Sequence, residues 1–458
     1  MCGTPKGAPY VRSQCVRYGW FVFSCFRGGS LVALTTALAF WLPACGGGPS
    51  RRAASALDAA AESYVRLVLA LGERDADSLD AYHGPREWQA DARAAYATLP
   101  EIRASAAALA AQLETPIPND DEVRRRFLIR QLGAVVARID VVRGARLPFD
   151  EEARLLFGLD GPAVEHGPAA AAAREAIDRL LPGPGDLAAR YAAYDRKLLI
   201  APDRLPAVLA RAIEGCRAAT RAQLALPPSE RVDVEYLREL SWSAFTRYAG
   251  GFTSRIQVNT GLPLTVDRAL DLACHESYPG HHTIASLLEA RFGGRVEFRV
   301  QPLFSPQSLL HEAASSLAGQ LAFPEPARAA FERDALFPLA GFDPAEAARH
   351  VRIGRLLDAL HGVEADIARR YLDGSLDFPR AAAALERDAL MPSADATLKF
   401  LNQYRTYAAT YTIGRDALQR HLDGRPPAGG EAGRWSAYIN VVADPAQIIP
   451  PAPRRREQ

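Results

Sequence analysis

The chain has 458 residues, of which 48% are hydrophobic, 8% aromatic and 23% charged. That balance is globular and excludes a wholly disordered, collagen-like or multi-span membrane chain. Lys and Arg number 54 against 53 Asp and Glu, a net charge of +1, so no overall field draws the protein to nucleic acid or anionic lipid.

In chain order, Arg17 and Arg27 flank an apolar run from Ser30 to Leu42, which ends in Pro43-Ala44-Cys45-Gly46. The run is shorter than the ~20 apolar residues of a spanning helix. Basic flank, apolar stretch and small residues together form an export signal over residues 1–45. Leu42-Pro43-Ala44-Cys45 is similar to a bacterial lipobox, whose cysteine becomes the lipidated first residue. A generic signal peptide or N-terminal anchor is the alternative. The lipobox implies a membrane partner through a lipid anchor and a site at the periplasmic face of the outer membrane. Cys216 and Cys274 stand alone in the remaining chain. Because Cys274 adjoins His275, two separate buried thiols are expected rather than a disulfide.

Residues 46–200 read as an N-terminal helical region. Tyr64, Leu67, Val68 and Leu71 repeat at helical spacing, and Pro85, Pro100, Pro116 and Pro118 punctuate further helices, the longest from Asp121 to about Gly144. Residues 201–423 read as a metal-site region. It opens on a helix and then changes character: Val232–Tyr236, Ser243–Tyr248 and Thr253–Asn259 are strand candidates, with Gly250-Gly251 as a turn. The fold class expected is mainly α, with a small antiparallel sheet beside the helix that carries the chemistry. Residues 424–458, rich in Pro, Gly and Arg, are expected to form a loose tail.

The chemistry concentrates at His275-Glu276-Ser-Tyr-Pro279-Gly280-His281-His282. In an HExxH helix, two histidines four apart reach one zinc while the glutamate activates water. Here four residues separate Glu276 from the next histidine, so a regular helix would point His275 and His281 different ways. Pro279 and Gly280 permit a break that folds His281 or His282 back. The apolar face of the next helix (Ile284, Leu287, Leu288, Phe292) favours His281 as the zinc ligand and His282 as its supporting neighbour. Glu312, 36 residues beyond Glu276 in a second helical stretch, is the candidate third ligand. The other reading of this cluster is a helix cap or a set of buried hydrogen-bonding imidazoles, the reading given to His83, His166, His361 and His421.

His-Glu-x-x-Pro-Gly-His-His with a downstream Glu-centred helix resembles the hallmark of the bacterial domain-of-unknown-function family 885. Ile256-Gln-Val-Asn259-Thr260 before the helix and Tyr411-Thr-Ile413-Gly414-Arg415 near the end are similar to further segments of that family. Leu79-Asp-Ala-Tyr82-His-Gly84-Pro85 is a weaker echo. The family's Glu-Gly-Trp near the second ligand is Glu312-Ala313-Ala314 here. The resemblance implies an exported zinc metallopeptidase of the gluzincin kind, acting on a peptide or small amide. Glu276 would be the general base and Tyr411 the donor to a developing oxyanion. Arg405 and Arg415 are candidates for a substrate carboxylate, and the strand ending at Asn259 for an extended peptide. A zinc-binding hydrolase of non-peptide amides and a non-catalytic helical lipoprotein scaffold are the other two classes.

Cys45→Ser should abolish lipid labelling and membrane anchoring of the expressed protein. An unchanged, lipid-labelled product would exclude the lipobox reading.

Overall fold

In a computed structural model of the chain, residues 55–116, 121–159, 167–238, 243–424 and 430–444 are described. The export segment with Cys45, and His166, lie outside the described residues. The protein is mainly α-helical. Helices α1 (Ala56–Gly72), α2 (Arg86–Ala95), α3 (Leu99–Glu114), α4 (Glu122–Val142) and α5 (Phe149–Phe157) lead to α6 (Gly167–Leu180), α7 (Leu187–Lys197) and α8 (Leu205–Arg221). Their ends are encoded locally. Ser55 with Asp58, and Thr98 with Glu101, form capping boxes, and Gly158 closes α5 in the left-handed conformation.

Strands β2 (Arg231–Leu237), β3 (Ala244–Gly250) and β4 (Thr253–Asn259) form a sheet ordered β2-β4-β3. β3 and β4 are an antiparallel hairpin turning at Gly250 and Gly251, both at positive φ. β2 pairs with the other edge of β4 in parallel, from Arg231↔Thr253 to Leu237↔Asn259, so the sheet is mixed rather than antiparallel throughout. Alternating apolar residues specify a strand and its faces; they do not specify its neighbour. A second, two-stranded ladder pairs β1 (Leu79–Tyr82) with β5 (Val300–Pro302). The sequence reading places no strand at either segment.

The chemistry-bearing elements follow: α9 (Val266–Glu276), α10 (His281–Phe292) and α11 (Pro306–Ala322). Then come α12 (Glu325–Phe331), α13 (Phe337–Ala340), α14 (Ala347–Leu357), α15 (His361–Leu372), α16 (Phe378–Asp388), α17 (Ala394–Tyr404) and α18 (Ile413–Asp423). α11 is buried nearly all round, Pro306, Ser316 and Gln320 being its only partly exposed positions. It joins two cores. One unites α1–α5 with α10, α11 and α18. The other unites α6–α8 with β4, α9 and the end of α11. Among the described residues no helix is long and apolar enough to cross a membrane.

Two expectations are corrected. The loose tail contains a helix, α19 (Gly430–Val442), with Trp435, Tyr438 and Val442 buried in the first core. The Tyr438 hydroxyl reaches the carbonyls of Ala314 (3.2 Å) and Pro279 (3.3 Å). Its helical spacing was hidden among Pro, Gly and Arg residues. Cys216 and Cys274 form a disulfide. α8 and α9 lie side by side in the second core and bring together cysteines 58 residues apart, a pairing no local pattern encodes.

A charge network, buried at Arg328, Glu332 and His350, fixes α9. Asp267 and Asp271, eight and four residues before His275, face Arg328 and His350. Arg328 bonds Asp271 (2.6 Å) and Glu332 (2.8 Å), while His350 contacts Glu332 (3.0 Å) and Asp267 (3.2 Å). Burial opposes the charge on His350, but Asp267 and Glu332 outweigh it and raise its pKa to about 10. A histidine raised above its unfolded value of about 6.5 contributes stability that is complete below that pH and lost as pH climbs toward 10. His350→Ala should lower unfolding free energy by about 3–5 kcal/mol, the cost of stranding buried charges, and flatten the stability profile between pH 6.5 and 10. Chemical denaturation at several pH values measures both.

Candidate metal centre

α9 ends at Glu276, and the chain then reverses within four residues. The Tyr278–Pro279 peptide is cis, Gly280 N–H donates to Cys274 O at 3.1 Å, and α10 begins at His281. A Cβ on Gly280 would lie 1.9 Å from His275 O, so only glycine fits this reversal. The loop absorbs the two residues by which the motif exceeds HExxH, and it lays His281 beside His275.

The Nε2 atoms of His275 and His281 are 3.1 Å apart. Glu312, from the middle of α11, places Oε1 3.2 Å from His281 Nε2 and Oε2 3.3 Å from His275 Nε2. Tetrahedral zinc with ligand bonds near 2.0–2.1 Å separates its donor atoms by about 3.3 Å; here one donor atom from each of the three residues lies within 4.8 Å of the others. Glu312 Oε2 is buried with no aligned hydrogen-bond donor. An orphaned carboxylate oxygen facing two imidazoles fits a divalent cation better than an apolar core, where it would be costly. Among the described residues this is the one group of His, Cys, Asp and Glu side chains close enough to share an ion.

His282, read from sequence among the metal residues, is turned away. It is fully buried, with Nδ1 2.8 Å from Ser254 Oγ and Nε2 3.2 Å from Glu230 Oε2. Burial lowers its pKa to about 4 despite Glu230, leaving a neutral ring that accepts from Ser254 and donates to Glu230. Successive helical residues diverge by about 100°, so His281 and His282 cannot both face Glu312. Glu230 also receives the Tyr278 hydroxyl, Arg217 and Arg221. The sequence reading missed it, because an acidic residue before a strand carries no local signal of burial.

Glu276 is buried beside the cluster, and Thr246 Oγ1 on β3 donates to its Oε2 at 2.6 Å. Tyr411 packs on the triad, its ring centroid 6.2 Å from that of His275. Burial, then the charge of Glu312, holds its phenol far above the ordinary range, hydrogen-bonded to Tyr407. Gly414 lets α18 approach α11 at this point, since a Cβ there would lie 2.5 Å from Leu309 Cδ1.

The three substrate candidates are placed otherwise. Arg405 pairs with Glu152 at 2.7 Å. Arg415 is buried against Asp358 (3.1 Å) and Asp416 (3.3 Å). Asn259 is buried and accepts from Gly261 N–H at 3.0 Å, and β4 is paired along both edges, leaving none for an added strand. An arginine that binds substrate and one that neutralises a buried acid look alike in sequence.

One acid at the site was also missed. Asp80 on β1 lies among Glu312, His281 and Glu276 electrostatically; burial and the two glutamates raise its pKa to about 7.

No protein-family model matches the chain, and no curated protein does. Two solved structures share part of its course. One is described as "the putative lipoprotein from Colwellia psychrerythraea", 14% identical at a TM-score of 0.44, over 77% of this chain and 68% of that one. The other is "a putative lipoprotein of unknown function from Shewanella oneidensis", 12% identical at a TM-score of 0.44, over 85% and 81%. Likenesses this distant carry no argument about chemistry.

His281→Ala should empty the site of zinc, as should Glu312→Ala, whereas His282→Ala should weaken zinc by roughly 10–100-fold, the range for groups that support a ligand. Metal titration of the purified variants gives the order; a reversed order of His281 and His282 would contradict the geometry.

Proposed function

We propose that the protein is an exported zinc-dependent hydrolase, in first place a metallopeptidase. His275, His281 and Glu312 are the ligands and Glu276 is the general base. The observation that carries the reading is the meeting of two imidazole nitrogens, 3.1 Å apart, with the two oxygens of one buried carboxylate, each oxygen 3.2–3.3 Å from one of the rings. The resemblance of the His-Glu-x-x-Pro-Gly-His-His segment to family 885 supports the same chemistry. Zinc in such a site supplies an acidified water near neutral pH and a Lewis acid for the scissile carbonyl. Glu276, held through one oxygen by Thr246, keeps its other oxygen to take the water's proton and return it to the leaving nitrogen. Tyr411, protonated and adjacent to His275, is placed to donate to negative charge developing on the carbonyl oxygen. Anchoring through Cys45 at the outer membrane belongs to the same reading, and the Cys216–Cys274 disulfide suits an oxidising compartment.

Glu276→Gln should retain about one zinc per chain yet lose hydrolysis of a peptide library by a factor on the order of 10²–10⁴. Elemental analysis with parallel turnover assays tests both. Full metal content in His275→Ala, His281→Ala and Glu312→Ala alike would remove the zinc reading.

A further inference from the structure

A group of aromatic rings adjoins the metal ligands. The ring centroid of Tyr411 lies 6.2 Å from that of His275 and 6.2 Å from that of Phe400, and Phe400 lies 4.7 Å from Tyr404. Phe400 and Tyr404 are four residues apart on α17 and so share one helix face. Tyr407 stands 5.6–6.3 Å from Tyr411, Tyr404 and Phe400 alike and is 4% exposed. It packs in turn on Phe157 and Phe304 of the first core. The three rings around it are only partly buried. One side of the group is thus core, and the other keeps aromatic surface open to solvent. His275 and His281 also retain 16% and 20% of their side-chain exposure. A strained junction holds this surface in place. Arg405, between α17 and the 3₁₀ segment Arg405–Thr410, has φ 51°, a conformation uncommon outside glycine and typical of functional sites. Glu152, 1% exposed, keeps it there by accepting from Arg405 at 2.8 Å and from Thr406 at 2.9 Å. The same pair neutralises the one charged side chain between Tyr404 and Tyr411.

Aromatic rings left partly exposed side by side, in sequence from a metal ligand, are the chemistry that recognises another ring. Stacked and edge-on contacts are favoured at centroid distances of about 4.5–7 Å, and exposed apolar patches mark ligand sites. We infer that Phe400 and Tyr404, continuing from Tyr411, form a specificity subsite for an aromatic side chain of the substrate, so that the enzyme prefers peptides with Phe, Tyr or Trp near the scissile bond. The inference rests on the hydrolase reading for its chemistry and adds no reactant to it. The ring is held while the metal-site residues act on a neighbouring amide. An aliphatic or charged side chain lacks the ring that this surface matches.

Binding separates the two readings. The zinc-loaded full-length Glu276→Gln chain is titrated calorimetrically with alanine pentapeptides in which a single Phe occupies each position in turn, beside the all-alanine peptide. Phe at one position should tighten binding roughly 10-fold or more, the scale of burying one such ring. Adding Phe400→Leu or Tyr404→Leu, which keeps apolar volume and removes the ring, should cut that preference by roughly 2–10-fold at unchanged zinc content. Either variant serves if the other fails to fold. Equal affinity across the series, no binding of any of the peptides, or a preference that survives both substitutions would overturn the inference. An aromatic preference that depends on Phe400 and Tyr404, together with no hydrolysis of any of these peptides by the wild-type protein, would sink the hydrolase reading and leave the subsite standing. Hydrolysis without the preference would do the reverse.

Discussion

Glu312 is an ionisable group in the middle of a helix with almost no solvated surface, and the architecture around it answers that constraint. A carboxylate 5% exposed is costly unless charge or hydrogen bonds surround it. Burial would raise its pKa, but the His281 and His275 rings reverse the direction and hold it well below the ordinary value. Those rings come from α9 and α10, so the helices must crowd α11. Small residues permit it: Ala313 and Ala314 on α11 are fully buried, and Gly319 sits against Asp271 of α9, where a Cβ would lie 2.4 Å from Oδ1. The departure from the family-like Glu-Gly-Trp to Glu312-Ala313-Ala314 therefore leaves a helix that still admits close neighbours.

The end of α9 is held at every turn. Asp267 and Asp271 engage Arg328 and His350, Cys274 is tied to α8, and Thr246 Oγ1 donates to the Glu276 carboxylate while lying 2.8 Å from its carbonyl oxygen. Beyond the reversal, Tyr278 and His282 converge on Glu230. A site whose donor atoms must sit within a few tenths of an ångström gains from such support, since side chains locked by their neighbours lose little freedom when a ligand arrives. The division between His281 and His282 follows from helix geometry: one histidine meets Glu312, and the other anchors the loop that presents it.

Groups around the site come from distant parts of the chain. β1 contributes Asp77 and Asp80, and the 3₁₀ segment Arg405–Thr410 with its flanks contributes Tyr404, Tyr407 and Tyr411. Glu152 on α5 secures that segment by accepting from Arg405 and Thr406. The two arginines that look suited to a substrate are instead paired within the fold, Arg405 with the buried Glu152 and Arg415 with the partly exposed Asp358 and Asp416.

Short-range periodicity and steric rules made part of the fold legible along the chain. Helical spacing marked α1, α4 and α8, turn glycines marked the β3–β4 hairpin, and Pro279-Gly280 marked the break after His275-Glu276. Those signals are local because backbone hydrogen bonds and side-chain faces repeat every few residues. Tertiary structure alone decided which partners meet across long separations. It set the parallel pairing of β2 with β4, the Cys216–Cys274 bond, the β1–β5 ladder, and the pairing of Glu230 with Arg217 and Arg221, of Arg405 with Glu152 and of Arg415 with Asp358. The helix at Gly430–Val442 escaped notice because a flanking composition of Pro and Gly outweighed its spacing, and its stability comes from contacts with α11. A charge carries no mark of its burial until the elements around it are packed, which is why the residues that hold a site were harder to read than those that form it.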